Sequence, residues 1–72
     1  MSDKNVSELL NIVRAGAGVT MEAIHFTVDD VIPVAQECAE VGVPLFVHGA
    51  MGWRTQDLIN IAKVGKGQVI FT

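Results

Sequence analysis

A repeated segment is the feature of this sequence that most restricts its fold. Residues 9–16 read LLNIVRAG and residues 58–65 read LINIAKVG, so Leu, Asn, Ile, a cation and Gly recur at one spacing. A third, degenerate copy ends at Glu40-Val41-Gly42. The copies have apolar residues at helical spacing, and a glycine and an apolar run typical of a strand follow. The chain is therefore predicted to consist of three helix–strand units.

The predicted helices begin at residues that suit helix caps. Asn5 or Ser7 can cap the first helix, because their short polar side chains accept from free backbone N–H groups. Thr27 and Asp30 have the spacing of a capping box at the start of the second helix. Thr55 is predicted to cap the third helix. These caps place the helix starts directly after the strands or the loops that follow them.

The strands alternate with the helices, which is typical of crossover units and a parallel sheet. We predict a small α/β domain with a three-stranded parallel sheet, in the order helix–strand three times over and with right-handed crossovers. The predicted strands are Met21–Phe26, Leu45–His48 and Gln68–Thr72. The single domain covers residues 1–72, and its repeat units are 6–27, 28–49 and 55–72.

Three helices can hardly cover both faces of such a sheet. Half of the residues are hydrophobic, which is high for a chain of 72 residues. Apolar surface is then expected to remain outside the core, where it marks a partner surface. This favours a homo-oligomer or a protein partner. The alternatives are helices on both faces of a monomer, or a short arc of stacked units of the solenoid type.

Composition excludes several classes of function. The formal net charge is −3 and the five basic residues are scattered, so nucleic-acid binding is not expected. No apolar stretch approaches the roughly 20 residues of a membrane span. Cys38 is the only cysteine, which rules out an internal disulfide. The sequence lacks a cluster of Cys and His residues, so neither a metal nor another cofactor is predicted. The composition fits a cytoplasmic protein.

Both histidines are expected near the carboxyl edge of the sheet, where ligands of open parallel sheets bind. Counting from the glycines of the repeat makes His25 equivalent to Val47, and His48 equivalent to Phe71. Neighbouring positions of a strand point to opposite faces. The two histidines are therefore predicted to lie on opposite faces, which argues against a shared metal site.

The loop after the second strand is the most unusual local stretch. Two glycines, a Trp and an Arg lie there between a strand and a helix, where backbone N–H groups can meet an anion. Trp and Arg are also favoured anchors of protein interfaces, and Met is adaptable. Alternatively, Trp53 folds back over the third helix. The candidate ligand- or partner-binding residues are His48, Gly49, Met51, Gly52, Trp53, Arg54 and Thr55.

Catalytic residues are not predicted. Cys38 lies on the apolar stripe of the second helix and is expected to be an inert core thiol. The sequence therefore favours a non-catalytic binding module of adaptor or regulatory type, of which an inhibitor- or antitoxin-like protein is one form, and predicts self-association. The alternative is a domain that binds phosphate or another small molecule, or a minimal enzyme, using the loop 48–55.

Overall fold

The computed structural model describes residues 5–72, so the first four residues of the predicted domain lie outside the described part. Three helices alternate with three strands, which confirms the α/β prediction. A single 3-10 turn, Ala50–Gly52, precedes the third helix. The elements are α1 (Val6–Arg14), β1 (Val19–Glu22), α2 (Val28–Val41), β2 (Leu45–His48), α3 (Thr55–Gly65) and β3 (Val69–Phe71).

Capping boxes start the first two helices. The Glu8 N–H donates to Asn5 Oδ1 at 2.8 Å, and the Asn5 N–H donates to Glu8 Oε1 at 3.1 Å. At α2 the Asp30 N–H donates to Thr27 Oγ1 at 3.3 Å, while the Thr27 N–H donates to Asp30 Oδ2 at 3.1 Å. The prediction for α3 is wrong, because Thr55 is its first helical residue and the cap position is Arg54. The Arg54 side chain makes no capping hydrogen bond.

The sheet is parallel throughout, with the strand order β1-β2-β3. All three helices pack on one of its faces, and α2 lies between α1 and α3. The two crossovers advance in one direction and keep to one face, so they share one hand, which is the right hand in nearly all such units. The helices and the inward strand side chains form one core; its largest fully buried members are Met21, Leu45, Ile61, Val13, Val31, Val34, Val47 and Cys38.

The domain therefore has two layers, and the alternative with helices on both faces is wrong. Parallel sheets are usually covered on both sides, because a crossover helix normally lies over each face. Here the order 1-2-3 with crossovers of one hand sends α2 and α3 to the same side, and α1 packs beside α2. The opposite face of the sheet is left without a covering layer in the described residues.

The first strand lies earlier in the chain than predicted. It begins at Val19, directly after Gly18, rather than at Met21, and it ends at Glu22. The apolar run that suggested a strand as far as Phe26 forms a turn instead, in which the His25 N–H donates to the Glu22 carbonyl at 2.9 Å. Ile24 in this turn is 82% exposed. β3 is also shorter than predicted, because it stops at Phe71.

The observed register corrects the predicted equivalence of the histidines. Val47 pairs with Phe71, and His48 pairs with Glu22, so the predicted match of His48 with Phe71 is off by one residue. His25 lies outside the sheet altogether. The prediction that the two histidines lie on opposite faces of one sheet is therefore wrong, because only His48 belongs to a strand.

Candidate binding surface

One face of the sheet is open, and its side chains alternate with those of the core. Along β2, Leu45 and Val47 are fully buried, whereas Phe46 and His48 are exposed. The same alternation holds in the other strands, because successive side chains of a strand point to opposite faces. We call the outward set the open face; it consists of Thr20, Glu22, Phe46, His48 and Ile70.

The middle of the open face carries an apolar row, which consists of Phe46 and Ile70 and is bordered by Thr20. Thr20 pairs with Phe46, and Phe46 pairs with Ile70, so the three side chains lie side by side across the strands. Phe46 is 37% exposed and Ile70 is 43% exposed. A large aromatic and a β-branched residue on neighbouring strands form a continuous apolar strip, rather than two isolated surface residues.

A polar row crosses the carboxyl end of the same face. Glu22 is the register partner of His48, and His48 Nδ1 lies 3.1 Å from Thr72 Oγ1. The backbone pairing extends past the strand ends, since the Thr72 N–H donates to the Val47 carbonyl at 3.0 Å and the Ala23 N–H donates to the His48 carbonyl at 2.9 Å. A carboxylate, an imidazole and a hydroxyl are thus held in sequence by three adjacent strands.

The polar row lies on an open surface. Acid–base and nucleophilic groups gain their catalytic strength in sites that exclude water. Glu22, His48 and Thr72 are all exposed, and they adjoin the apolar row rather than a cavity. Their hydrogen-bonding capacity is therefore suited to recognition, in which a partner surface brings its own donors and acceptors.

The loop that carries the predicted site residues adjoins this edge. Gly49 has φ 77° and ψ 15°, a left-handed conformation that glycine adopts without strain. Ala50 is buried in the core, whereas Met51 is 68% exposed at the tip of the loop. Trp53 is half-buried against the core, and its backbone N–H donates to the Ala50 carbonyl at 2.9 Å.

The loop therefore divides the predicted residues into two groups. Trp53 is half-buried against the core, and whether it covers the third helix stays a prediction. The other predicted residues are all exposed: His48, Gly49, Met51, Gly52, Arg54 and Thr55. Whether these residues bind a ligand or a partner stays a prediction.

Sequence reasoning missed Glu22, Phe46 and Ile70 as surface residues of one face. Phe46 and Ile70 are large hydrophobic residues of the kind that usually lie in a core. Only the register shows that they point away from the helices. Glu22 was missed because β1 was placed too late in the chain. The alternation of Val19-Thr20-Met21-Glu22, apolar then polar, is the signal that could have found the strand.

Two further features lie on the helix side. A shallow groove of about 600 Å³ crosses α2 between α1 and α3. Its charges are mixed, and the Arg14 Nε lies 3.5 Å from the Glu37 carboxylate. Cys38 is buried beneath this layer. Burial raises the pKa of the Cys38 thiol, and the neighbouring Glu37 carboxylate raises this pKa further.

Neither a metal-ligand cluster nor a membrane-spanning helix is found among the described residues. They contain no group of three or more Cys, His, Asp or Glu side chains placed to hold a metal ion. Among them, even the longest helix, α2 with 14 residues, is too short to cross a bilayer. No family model, curated protein or solved structure matches the chain.

Proposed function

We propose that this chain is a non-catalytic binding module that docks a protein on the open face of its sheet. The observation that carries the proposal is the apolar row of Phe46 and Ile70, on a face that none of the helices in residues 5–72 covers. Exposed apolar strips with polar borders are typical of protein-interaction surfaces. Parallel sheets almost always have both faces covered, so a partner would supply the missing layer.

The polar row supports docking because its hydrogen-bonding groups favour one orientation of the partner. Glu22 offers a carboxylate at one side of the row, while the pair His48–Thr72 offers ring N–H and hydroxyl groups at the other. Polar groups at the border of an apolar patch add specificity more than affinity, because wrongly oriented partners leave them unpaired. Met51 extends the contact at the carboxyl edge with a flexible side chain that fits uneven partner surfaces.

A module that docks a protein on the open face would have a regulatory or adaptor role, and an inhibitor- or antitoxin-like protein is one form of it. The one thiol of the chain supports a non-catalytic role. Burial holds the pKa of Cys38 above its ordinary range, so little of the nucleophilic thiolate forms.

Site-specific photo-crosslinking tests the proposal. A benzophenone amino acid replaces Phe46 in the full chain, and in a control it replaces Ile59, which is 41% exposed but lies on α3. Irradiation in the expressing cells should give a discrete adduct of defined mass from position 46 and none from position 59. The adduct should disappear when Ile70→Glu is added. Equal labelling from both positions, or none from position 46, would contradict the proposal.

The second candidate is a domain that binds phosphate or a small molecule, or a minimal enzyme, through the loop 48–55. Its support is the start of α3, where no side chain caps the first amides and Arg54 adds a cation. Asp57 in the first turn opposes an anion there. Titration of phosphate or nucleotides into labelled protein would then shift amide signals at residues 48–56. Unchanged spectra at millimolar ligand would eliminate this candidate.

A further inference from the structure

We infer that the partner of the open face is a second copy of this chain, packed face to face about a twofold axis parallel to the strands. The inference rests on the proposed function and names the occupant of the same surface. It follows from the dimensions of the domain and from the distribution of polar groups on the open face.

The dimensions fit a dimer. The described domain is a slab of 30 × 29 × 18 Å, thin in one direction because it has only two layers. The whole broad side of that slab, of which the open face is one part, is comparable with the ~800 Å² that each partner contributes to a standard stable interface. Two such slabs would form a four-layer sandwich, with sheets stacked about 10 Å apart and both sets of helices outside. Each sheet would then have its second face covered.

The polar row is complementary to itself under this symmetry. An axis parallel to the strands and passing over β2 places β1 of one copy opposite β3 of the other. Glu22 then faces Thr72 of the second copy and lies beside His48 of that copy, and the same contacts form a second time. The carboxylate gains hydroxyl and imidazole donors in the interface, as a buried charge requires.

The apolar row fits the same arrangement. Phe46 lies on the central strand, so the axis brings it against its own counterpart in the partner. Thr20 faces Ile70 of the second copy. Both residues lie on edge strands, so the Thr20 hydroxyl lies near the rim of the interface. Both carboxyl edges lie at one end of the dimer, and the exposed side chains of Ile24 and Met51 from both copies are gathered there.

The opposite orientation is less favourable. An axis perpendicular to the strands, still passing over the apolar row, would place Glu22 over Gly18 of the second copy and His48 over Pro44. Neither residue offers a side-chain donor, so the Glu22 carboxylate would be buried beside His48 of its own chain with no donor from the second copy. A buried charge with fewer donors is less stable, which favours the strand-parallel axis.

Sedimentation velocity over micromolar to near-millimolar concentration tests the inference on the full chain. The wild type should sediment as a dimer that dissociates on dilution. Ile70→Glu should sediment as a monomer over the same range, because it buries two carboxylates in the interface. Ile59→Glu is the matched control, since Ile59 is 41% exposed and Ile70 is 43% exposed. The control should remain dimeric.

Thr20→Lys separates loss of the interface from loss of the fold. Thr20 is exposed and polar, so this change removes no core contact. The variant should keep the circular dichroism spectrum of the wild type and still weaken the dimer at least tenfold. A dimer of unchanged affinity in both Thr20→Lys and Ile70→Glu would overturn the inference.

Cross-linking tests the orientation. Thr20→Cys and Ile70→Cys chains, one of them labelled with nitrogen-15, are mixed and treated with a short bis-maleimide. The strand-parallel axis places residues 20 and 70 of different copies roughly 10 Å apart, but two copies of residue 20 about 14 Å apart. Mixed-mass products should therefore dominate. Mainly like-with-like products would overturn the orientation. The wild type, with only buried Cys38, is the blank.

The outcome for the dimer is separable from the outcome for the proposed function. A wild type that stays monomeric at every concentration, while position 46 crosslinks to a different protein, overturns the second copy as partner and leaves the open face as a binding surface. A monomer with no adduct at position 46 overturns both.

Discussion

Gly65 and Val69 are so close that a β-carbon on Gly65 would overlap the Val69 Cγ2 atom. Gly65 is the last residue of α3, and Val69 is the first residue of β3. The last residue of α3 therefore packs directly against the first residue of β3. This contact, rather than backbone flexibility, explains why a glycine ends the third helix, since Gly65 does not have a positive φ.

Gly65→Ala is expected to lower the free energy of unfolding. Alanine gains up to about 1 kcal/mol in helix propensity over glycine. The overlap with Val69 belongs at the upper end of the roughly 1–3 kcal/mol typical of overpacking. The net loss should be about 1–2 kcal/mol by urea denaturation. Gly52→Ala is the control: it has open space around its Cβ position and no positive φ, so its stability should equal or slightly exceed that of the wild type.

The glycines of the repeat are not structurally equivalent, and this explains the wrong register. Gly16 and Gly42 both have positive φ after their helices, whereas Gly65 is still helical and Lys66 takes the left-handed position. Counted from Gly16, Gly42 and Lys66, each strand begins three residues later, at Val19, Leu45 and Val69. The sequence repeat aligns the three glycines, but the position of the left-handed residue determines where each strand begins.

Lys66→Gly is expected to stabilise the protein. Lys66 has φ 49° and ψ 45°, a left-handed conformation in which its Cβ crowds the following carbonyl. Glycine removes this strain but adds freedom to the unfolded chain, so the gain should be about 0.5–1 kcal/mol. Lys63→Gly, one turn earlier in α3, should instead lose about 1 kcal/mol. Equal effects of the two substitutions would show that the left-handed residue is not strained.

The element order and β2 could be predicted because their signals are local. Alternating helices and strands, capping residues and an apolar run after Pro44 depend on neighbours in the chain. An uncovered face was expected from the number of helices, but its residues could not be predicted, because the orientation of Phe46 and Ile70 depends on which side the helices pack. Likewise, Ile24 belongs to an apolar run in the sequence but to an exposed turn in the fold.

Thr27→Ala is expected to destabilise α2 much more than Thr55→Ala destabilises α3. Thr27 Oγ1 accepts the Asp30 N–H, and loss of such a cap lowers the free energy of unfolding by about 1 kcal/mol. Thr55 is the first helical residue and makes no capping bond, so its truncation should change stability by less than about 0.5 kcal/mol. Chemical denaturation followed by Trp53 fluorescence measures both. A larger loss from Thr55→Ala would contradict the assigned caps.

Trp53→Ala and Met51→Ala are expected to have different effects. Trp53 is half-buried against the core, so its truncation should lower the free energy of unfolding by roughly 2 kcal/mol. Met51 is 68% exposed, and its truncation should leave stability unchanged while weakening association. Circular dichroism follows unfolding of the variant without Trp. If Met51→Ala also destabilises the monomer, the loop tip is part of the fold rather than of the binding surface.

Cys38 is expected to make stability fall at alkaline pH. Burial raises the pKa of this thiol above its ordinary value of 9.0, and Glu37 adds to the shift. The unfolded chain therefore loses its thiol proton before the folded chain does, so the folded state binds more protons. The stabilising contribution is complete below pH 9 and declines as pH rises from the unfolded pKa towards the folded pKa. Denaturation at pH 8 to 10.5 should show a steeper decline in the wild type than in Cys38→Ala. Identical slopes would mean that the thiolate is accommodated in the core.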